Sequence, residues 1–153
     1  MIRQTPAVLW IILIACVLVA VTVAVHVIGL AALLHALWSK HAARLPARFW
    51  PVTWLLICVT WVLLLIHLIE IAVWALFYWW AGCLPDAESA FYFSGVTYAT
   101  VGYGDLVLPQ RWRMLGPVEG LTGILMCGLS TGFFFAFLVR VFGAKFKVEP
   151  KSS

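Results

Sequence analysis

The string Thr100-Val101-Gly102-Tyr103-Gly104-Asp105 is where the residue types best support chemistry. That chemistry is coordination by backbone oxygen rather than by side chains. In a regular strand successive carbonyls point to opposite sides, but Gly102 and Gly104 can take positive φ, which turns consecutive carbonyls toward one axis. The Thr100 hydroxyl extends the row inward. Such a ladder replaces the hydration shell of an alkali cation, with Thr100, Val101, Gly102 and Tyr103 as the ion-binding positions. One chain supplies one wall only, so a closed ring of carbonyls needs several copies about one axis. The bland alternatives for the Gly-Tyr-Gly are a turn in an exterior loop or a fragment of a dinucleotide fingerprint. The second needs a flanking strand and a helix start that are absent.

The elements that must position this string are set by composition. The chain has 153 residues, 65% hydrophobic and 10% charged, against about 45–50% apolar and about 25% charged in ordinary soluble domains. With nine Trp, ten Phe and four Tyr there is apolar surface in excess and almost no polar surface to face water, so the solvent is lipid. The net charge of +4 sits in short segments between apolar runs and reads as membrane orientation, with no basic stripe for nucleic acid.

Three runs, 6–38, 51–80 and 114–142, exceed the roughly 20 residues that a helix needs to cross a hydrocarbon core. The first is too long for the core of a signal peptide and is expected to persist as a helix. Basic residues Lys40, Arg44 and Arg48 follow the first run, and Lys145, Lys147 and Lys151 follow the third. Both segments are therefore expected to be cytoplasmic, with the N-terminus and residues 81–113 outside. Trp38, Trp50 and Trp54 mark the inner interface, Tyr78, Trp79, Trp80 and Trp112 mark the outer one, and Arg140 is expected to snorkel to the inner headgroups. Pro85 and Asp86 are expected to stop the second helix, with Asp86 capping a short helix from Ala87 and Glu88 complementing its dipole. A helix too short to span, followed by extended backbone, is a re-entrant loop. Lipid cannot satisfy such backbone, so it must be buried in protein or line a water-filled path.

At Thr100 to Asp105 the sequence closely resembles the potassium channel pore family, whose filter signature is TVGYG followed by Asp. The resemblance covers 51–142 and leaves out the first helix. It implies a homotetramer with fourfold symmetry, potassium as the permeant ion, no cofactor, no catalysed reaction and no small-molecule substrate. The expected partners are three further copies of the chain and membrane lipid. The fold class expected is an all-α membrane protein of three transmembrane helices with a short pore helix and an extended filter. Its divisions are an extra helix (1–38), a basic cytoplasmic loop (39–50), the pore domain (51–142) and a short basic tail (143–153). The expected location is the cell membrane, as a prokaryotic inner-membrane protein. Many family members carry two Trp where this chain has Tyr92 and Phe93, so Tyr103 is expected to keep at most one hydrogen-bonding aromatic partner. Val96 replaces a Glu found in some members, which leaves Asp105 without that partner. No voltage-sensing helix is expected, and the residues after 142 are too few for a folded module.

In the third run Gly123 is read either as a close-packing position or as the family's hinge. Counting one helical face from there gives Ile124, Cys127, Thr131 and Phe135 as cavity-lining residues, with Phe135 as a candidate hydrophobic constriction. Phe133, Phe134 and Phe137 then face neighbouring helices or lipid. Glu70, His67 and Glu119 are ionisable groups at membrane depth and are expected to face protein. For Glu70 and His67 the expected neighbours are His26 or the back of the short helix near Ser94 and Thr97; for Glu119, the back of the filter. Their role is either to pin helices or to couple protonation to the filter. Cys16, Cys58 and Cys127 lie in apolar runs, whereas Cys83 is expected to meet solvent in the outer turret and to be the candidate for an intersubunit disulfide.

Overall fold

The computed structural model describes residues 5–41 and 49–143. Of the expected basic loop, residues 39–41 and 49–50 fall in helices, while 42–48 with Arg44 and Arg48, and the tail with Lys145, Lys147 and Lys151, lie outside these residues. The described chain forms α1 (Thr5–His41), α2 (Phe49–Trp80), α3 (Ala87–Tyr98) and α4 (Leu115–Gly143), with a 3-10 turn at Gln110–Trp112. The fold is all-α, and no strand occurs among the described residues. Three stretches, Val8–Trp38, Trp50–Trp80 and Gln110–Phe142, are long and apolar enough to cross a membrane. At about 1.5 Å per residue, 31 residues reach about 46 Å, so each crosses a core of about 30 Å with length to spare and room to tilt.

α2 ends by a different device from the one expected. Gly82 stands at φ 61°, the Cys83 N–H donates to the Tyr78 carbonyl at 2.8 Å, and the Gly82 N–H donates to the Trp79 carbonyl at 3.1 Å. This is a glycine cap of Schellman type, which satisfies the last carbonyls of the helix before Pro85 is reached. Asp86 then acts as anticipated. It sits in extended conformation at the N-cap of α3 and accepts the Ser89 N–H at 2.7 Å. That bond and a second from the Ser89 hydroxyl at 2.9 Å hold the Asp86 carboxyl below the usual carboxylate range.

α3 packs against α2 and α4, and α1 packs against α2 and α4 as well. Two apolar clusters result. One gathers Trp74, Tyr78, Ala90, Phe93 and Leu115 around α3, with Ala15 and Leu18 of α1. The other joins Leu33, Val59, Leu63 and Ile66, with Phe133, Phe134 and Phe137 of α4 packed on it, so those three rings face helices of the same chain. Between the clusters, the Trp74 indole donates to the Thr22 hydroxyl at 3.0 Å and ties α2 to α1. Arg140 lies over the Trp38 ring at 5.5 Å, so its charge has an aromatic partner within the chain as it reaches the helix end.

Candidate functional site

The short helix α3 is held from behind by two buried carboxylates. Glu119 of α4 accepts the Tyr78 hydroxyl at 2.8 Å and the Ser94 hydroxyl at 2.5 Å. Ser94 also lies 2.9 Å from the Ile71 carbonyl, so α2, α3 and α4 meet at one serine. Glu119 therefore approaches the body of α3 at Ser94. The expectation that it would approach the back of the extended segment is corrected in that sense. Glu70 of α2 faces Nδ1 of His26 at 2.8 Å and Nδ1 of His67 at 3.2 Å, and accepts the Tyr98 hydroxyl from the last turn of α3. Both expected directions are therefore met, His26 on α1 and the back of α3, the latter through Tyr98, while Ser94 belongs to Glu119. Glu70, His26, Glu119 and Ser94 are all fully buried. Tyr98 and Tyr78 are the partners that sequence reasoning missed. Tyr78 lies near the end of an apolar run and Tyr98 at the end of the short helix, and no spacing rule signals that either hydroxyl finds a carboxylate on another helix.

Glycines of α4 let the backbones meet. An added Cβ on Gly123 would stand 2.1 Å from the Tyr98 carbonyl oxygen, and one on Gly120 3.3 Å from the Thr97 carbonyl oxygen. Of the two readings of Gly123, the geometry supports close packing, because the contact is with backbone at the end of α3.

Beyond α3 the chain changes character. Thr100, Gly102 and Gly104 have φ of 60°, 53° and 78°, while Val101 and Tyr103 between them do not take positive φ. The two glycines behave as expected. Thr100 does not: a β-branched residue there costs on the order of 1–3 kcal/mol and persists only when its surroundings hold it. The Thr100 N–H donates to the Thr97 carbonyl at 2.9 Å, and the Val101 and Gly102 N–H groups both donate to the Val96 carbonyl at 2.8 and 3.0 Å. The N–H groups of Val101 and Gly102 therefore both face α3. Residues 100–105 are exposed on the chain, Tyr103 by 71%.

Asp105 has gained a partner that the sequence did not reveal. The Tyr92 hydroxyl donates to Asp105 Oδ2 at 2.8 Å, so the carboxylate is bonded although Val96 offers nothing. That bond pushes the pKa of the Tyr92 hydroxyl up. Tyr92 therefore serves Asp105 rather than Tyr103, and Phe93 turns away to meet Tyr78 edge-on at 5.3 Å. Ile124, Cys127, Thr131 and Phe135 lie on one exposed face of α4, as the helical count requires, with Phe135 exposed by 66%.

Cys83 corrects the sequence reading. It is 6% exposed and belongs to the apolar cluster around α3. The glycine cap at Gly82 turns it inward, and burial pushes its thiol pKa up against the opposing pull of Arg111.

No curated protein and no solved structure matches the chain. A family model described as ion channel matches residues 53–140, from the second turn of α2 to the last turns of α4, and leaves α1 outside. With three helices able to span a bilayer, a short helix fixed between two of them and that match over more than half its length, this multi-pass membrane protein belongs to the ion channel family.

Proposed function

We propose that the chain forms a homotetrameric, potassium-selective channel in which Thr100, Val101, Gly102, Tyr103 and Gly104 line the ion path. The observation that carries this reading is the alternation of φ at 100, 102 and 104. With the N–H groups of Val101 and Gly102 drawn to Val96, the Thr100 and Val101 carbonyls, each antiparallel to the N–H of its own trans peptide, are left to the opposite, open side. A row of carbonyls from one chain solvates nothing, and four rows about an axis dehydrate a potassium ion. Exposure of residues 100–105 on the isolated chain supports burial by further copies, because unsatisfied backbone does not face lipid.

The remaining parts follow from this. The C-terminal end of α3, at Tyr98 and Ala99, directs the negative end of its dipole toward the inner end of the row, where a cation waits in the cavity. Ile124, Cys127 and Thr131 line that cavity, and four Phe135 rings form a hydrophobic constriction nearer the cytoplasm. The basic loop and tail set the N-terminus and residues 81–113 outside, in the cell membrane, and the protein catalyses no reaction. The pore domain is 51–142, and α1 is an addition packed on its periphery.

The test is flux from proteoliposomes. Potassium is expected to pass and sodium to be excluded, the detergent-solubilised particle to have the mass of four chains, and Gly102→Ala to abolish flux while the tetramer persists. Equal sodium and potassium flux would make it a weakly selective cation pore. No flux from a well-formed particle would make it an accessory subunit for other pore-forming chains. Either result overturns the reading, as does unimpaired flux in Gly102→Ala.

A further inference from the structure

His26 on α1 and His67 and Glu70 on α2 bring two imidazoles and a carboxylate to one point inside the bundle. Their ligand atoms all lie within 4.8 Å of one another. Nδ1 of His26 is 2.8 Å from Glu70 Oε1, and Nδ1 of His67 is 3.2 Å from Glu70 Oε2. The Tyr98 hydroxyl stands beside them, 3.1 Å from His67 Nδ1. The His26 and Glu70 side chains are fully buried, whereas His67 keeps 16% of its surface exposed.

We propose that His26 Nδ1, His67 Nδ1 and a carboxylate oxygen of Glu70 form a binding site for a divalent transition-metal ion of the zinc class. Two imidazoles and one carboxylate are a donor set that suits zinc and its neighbours, while magnesium and calcium require a cage of oxygens that is not present here. Charge favours the same ion. A bare carboxylate at membrane depth is expensive, and a divalent cation more than neutralises it. The net positive charge then lies against Tyr98, the last residue of α3, where the helix dipole is negative.

The outer contacts also fit a ligating imidazole. A metal-bound histidine carries its hydrogen on the other ring nitrogen and donates it to an oxygen. On His26 that nitrogen, Nε2, faces the Ser130 hydroxyl at 3.5 Å. Each ring ligates through an unprotonated Nδ1. The hydrogen that bridges Nδ1 and Glu70 in the metal-free chain therefore moves to Nε2 or leaves to water. Zinc bonds of about 2.0–2.1 Å place tetrahedral ligand atoms roughly 3.3 Å apart. The 2.8 and 3.2 Å separations, each from one imidazole to a different oxygen of Glu70, are close to this value, and the chosen ligand atoms all lie within 4.8 Å of one another. The exposed edge of His67 is the way in, and the Tyr98 hydroxyl borders the fourth position.

Such an ion locks α1 to α2 at the depth where α3 ends, two residues before Thr100. It gives the helix outside the family match a task, which is to carry a metal-dependent clamp on α3. The site does not depend on the potassium reading, and its test does not read flux.

The full chain, with His35 and His41 replaced by Gln to remove other imidazoles, is stripped with chelator, loaded with Zn²⁺ or Co²⁺ in detergent and dialysed. About one ion per chain is expected to remain. Co²⁺ is expected to show the intense visible bands of four or five ligands, and X-ray absorption to show two imidazoles and oxygen with no sulfur. His26→Gln and Glu70→Gln each remove the retained ion, and Ser130→Ala weakens retention by about 10-fold or more. Retention in the parent no greater than in His26→Gln overturns the proposal, and so does sulfur at about 2.3 Å, which assigns the metal to cysteine. If the variants fail to fold, the Co²⁺ and absorption spectra of the parent decide alone: a pale six-coordinate spectrum or no bound ion leaves a hydrogen-bonded network and no site.

Discussion

The two sides of α3 are built on opposite plans. Behind it, Glu119 and Glu70 meet Tyr78, Ser94, His26, His67 and Tyr98 within one chain, with every one of these contacts made across helices except His67 to Glu70. In front, residues 100–105 adopt a backbone of alternating φ and leave it exposed. The back is finished by the folding of a single chain. The front is left open by the single chain and, on the proposed reading, is finished by further copies. On that reading, changes behind α3 are paid in stability, and changes in front of it in conduction.

The sharpest way to break that division is Gly123→Ala. The added methyl meets the Tyr98 carbonyl at 2.1 Å, and backbone on both sides cannot yield cheaply. A loss of about 3 kcal/mol or more, the upper end of overpacking costs, is expected in unfolding measurements in mixed micelles. A fully stable Gly123→Ala with altered opening would restore the hinge reading of this glycine.

Next in size is Glu119→Leu, which strands the buried Tyr78 hydroxyl and is expected to cost about 1–3 kcal/mol. Glu119→Gln retains an acceptor for Tyr78 and is expected to recover most of that stability. Equal losses in the two variants would show that charge, rather than hydrogen bonding, matters behind α3.

On the open side, Phe135→Ala is expected to leave unfolding unchanged and to raise single-channel conductance or open probability, since an exposed ring contributes little to the fold of its own chain. A destabilised protein with unaltered currents would move Phe135 to the packed side of the comparison.

The cap of α3 gives a smaller effect with a definite sign. The folded state lowers the Asp86 pKa, so the cap's contribution is full above the unfolded value of about 3.9. It is lost as the pH falls through the lower, folded value. Stability of the parent is expected to decline over that acid window more steeply than stability of Asp86→Asn, which keeps an uncharged cap. Parallel pH curves would remove the ionised carboxyl from the account.

The smallest effect expected is none. In a variant whose only cysteine is Cys83, non-reducing electrophoresis of unheated membranes is expected to show no disulfide dimer, and maleimide labelling to be slow, because the thiol is buried and its pKa is raised. Rapid oxidation to dimer would return Cys83 to the exposed turret that the sequence suggested.

What the sequence determined by itself were the features that depend on local composition. Three apolar runs long enough to span, a short helix capped by Asp86, and glycines at 102 and 104 in positive φ are all consequences of residues acting on their own neighbourhood. The shared face of Ile124, Cys127, Thr131 and Phe135 on α4 is local too, because it follows from helical spacing, while its exposure is set by packing. The tertiary structure decided the rest. His26 and Glu70 are 44 residues apart in sequence, and Tyr78 and Glu119 are 41. α1 and α2 are apolar around most of their circumference, so no stripe reveals which side meets a neighbour, and a polar residue within them announces only that it needs a partner. The partner itself is chosen by how the helices pack. Thr100 is a local exception, since its left-handed backbone goes with a bond only three residues back to Thr97 although its β-branched side chain gave no sign of it, whereas the burial of Cys83 is decided by the packing of the cluster around α3.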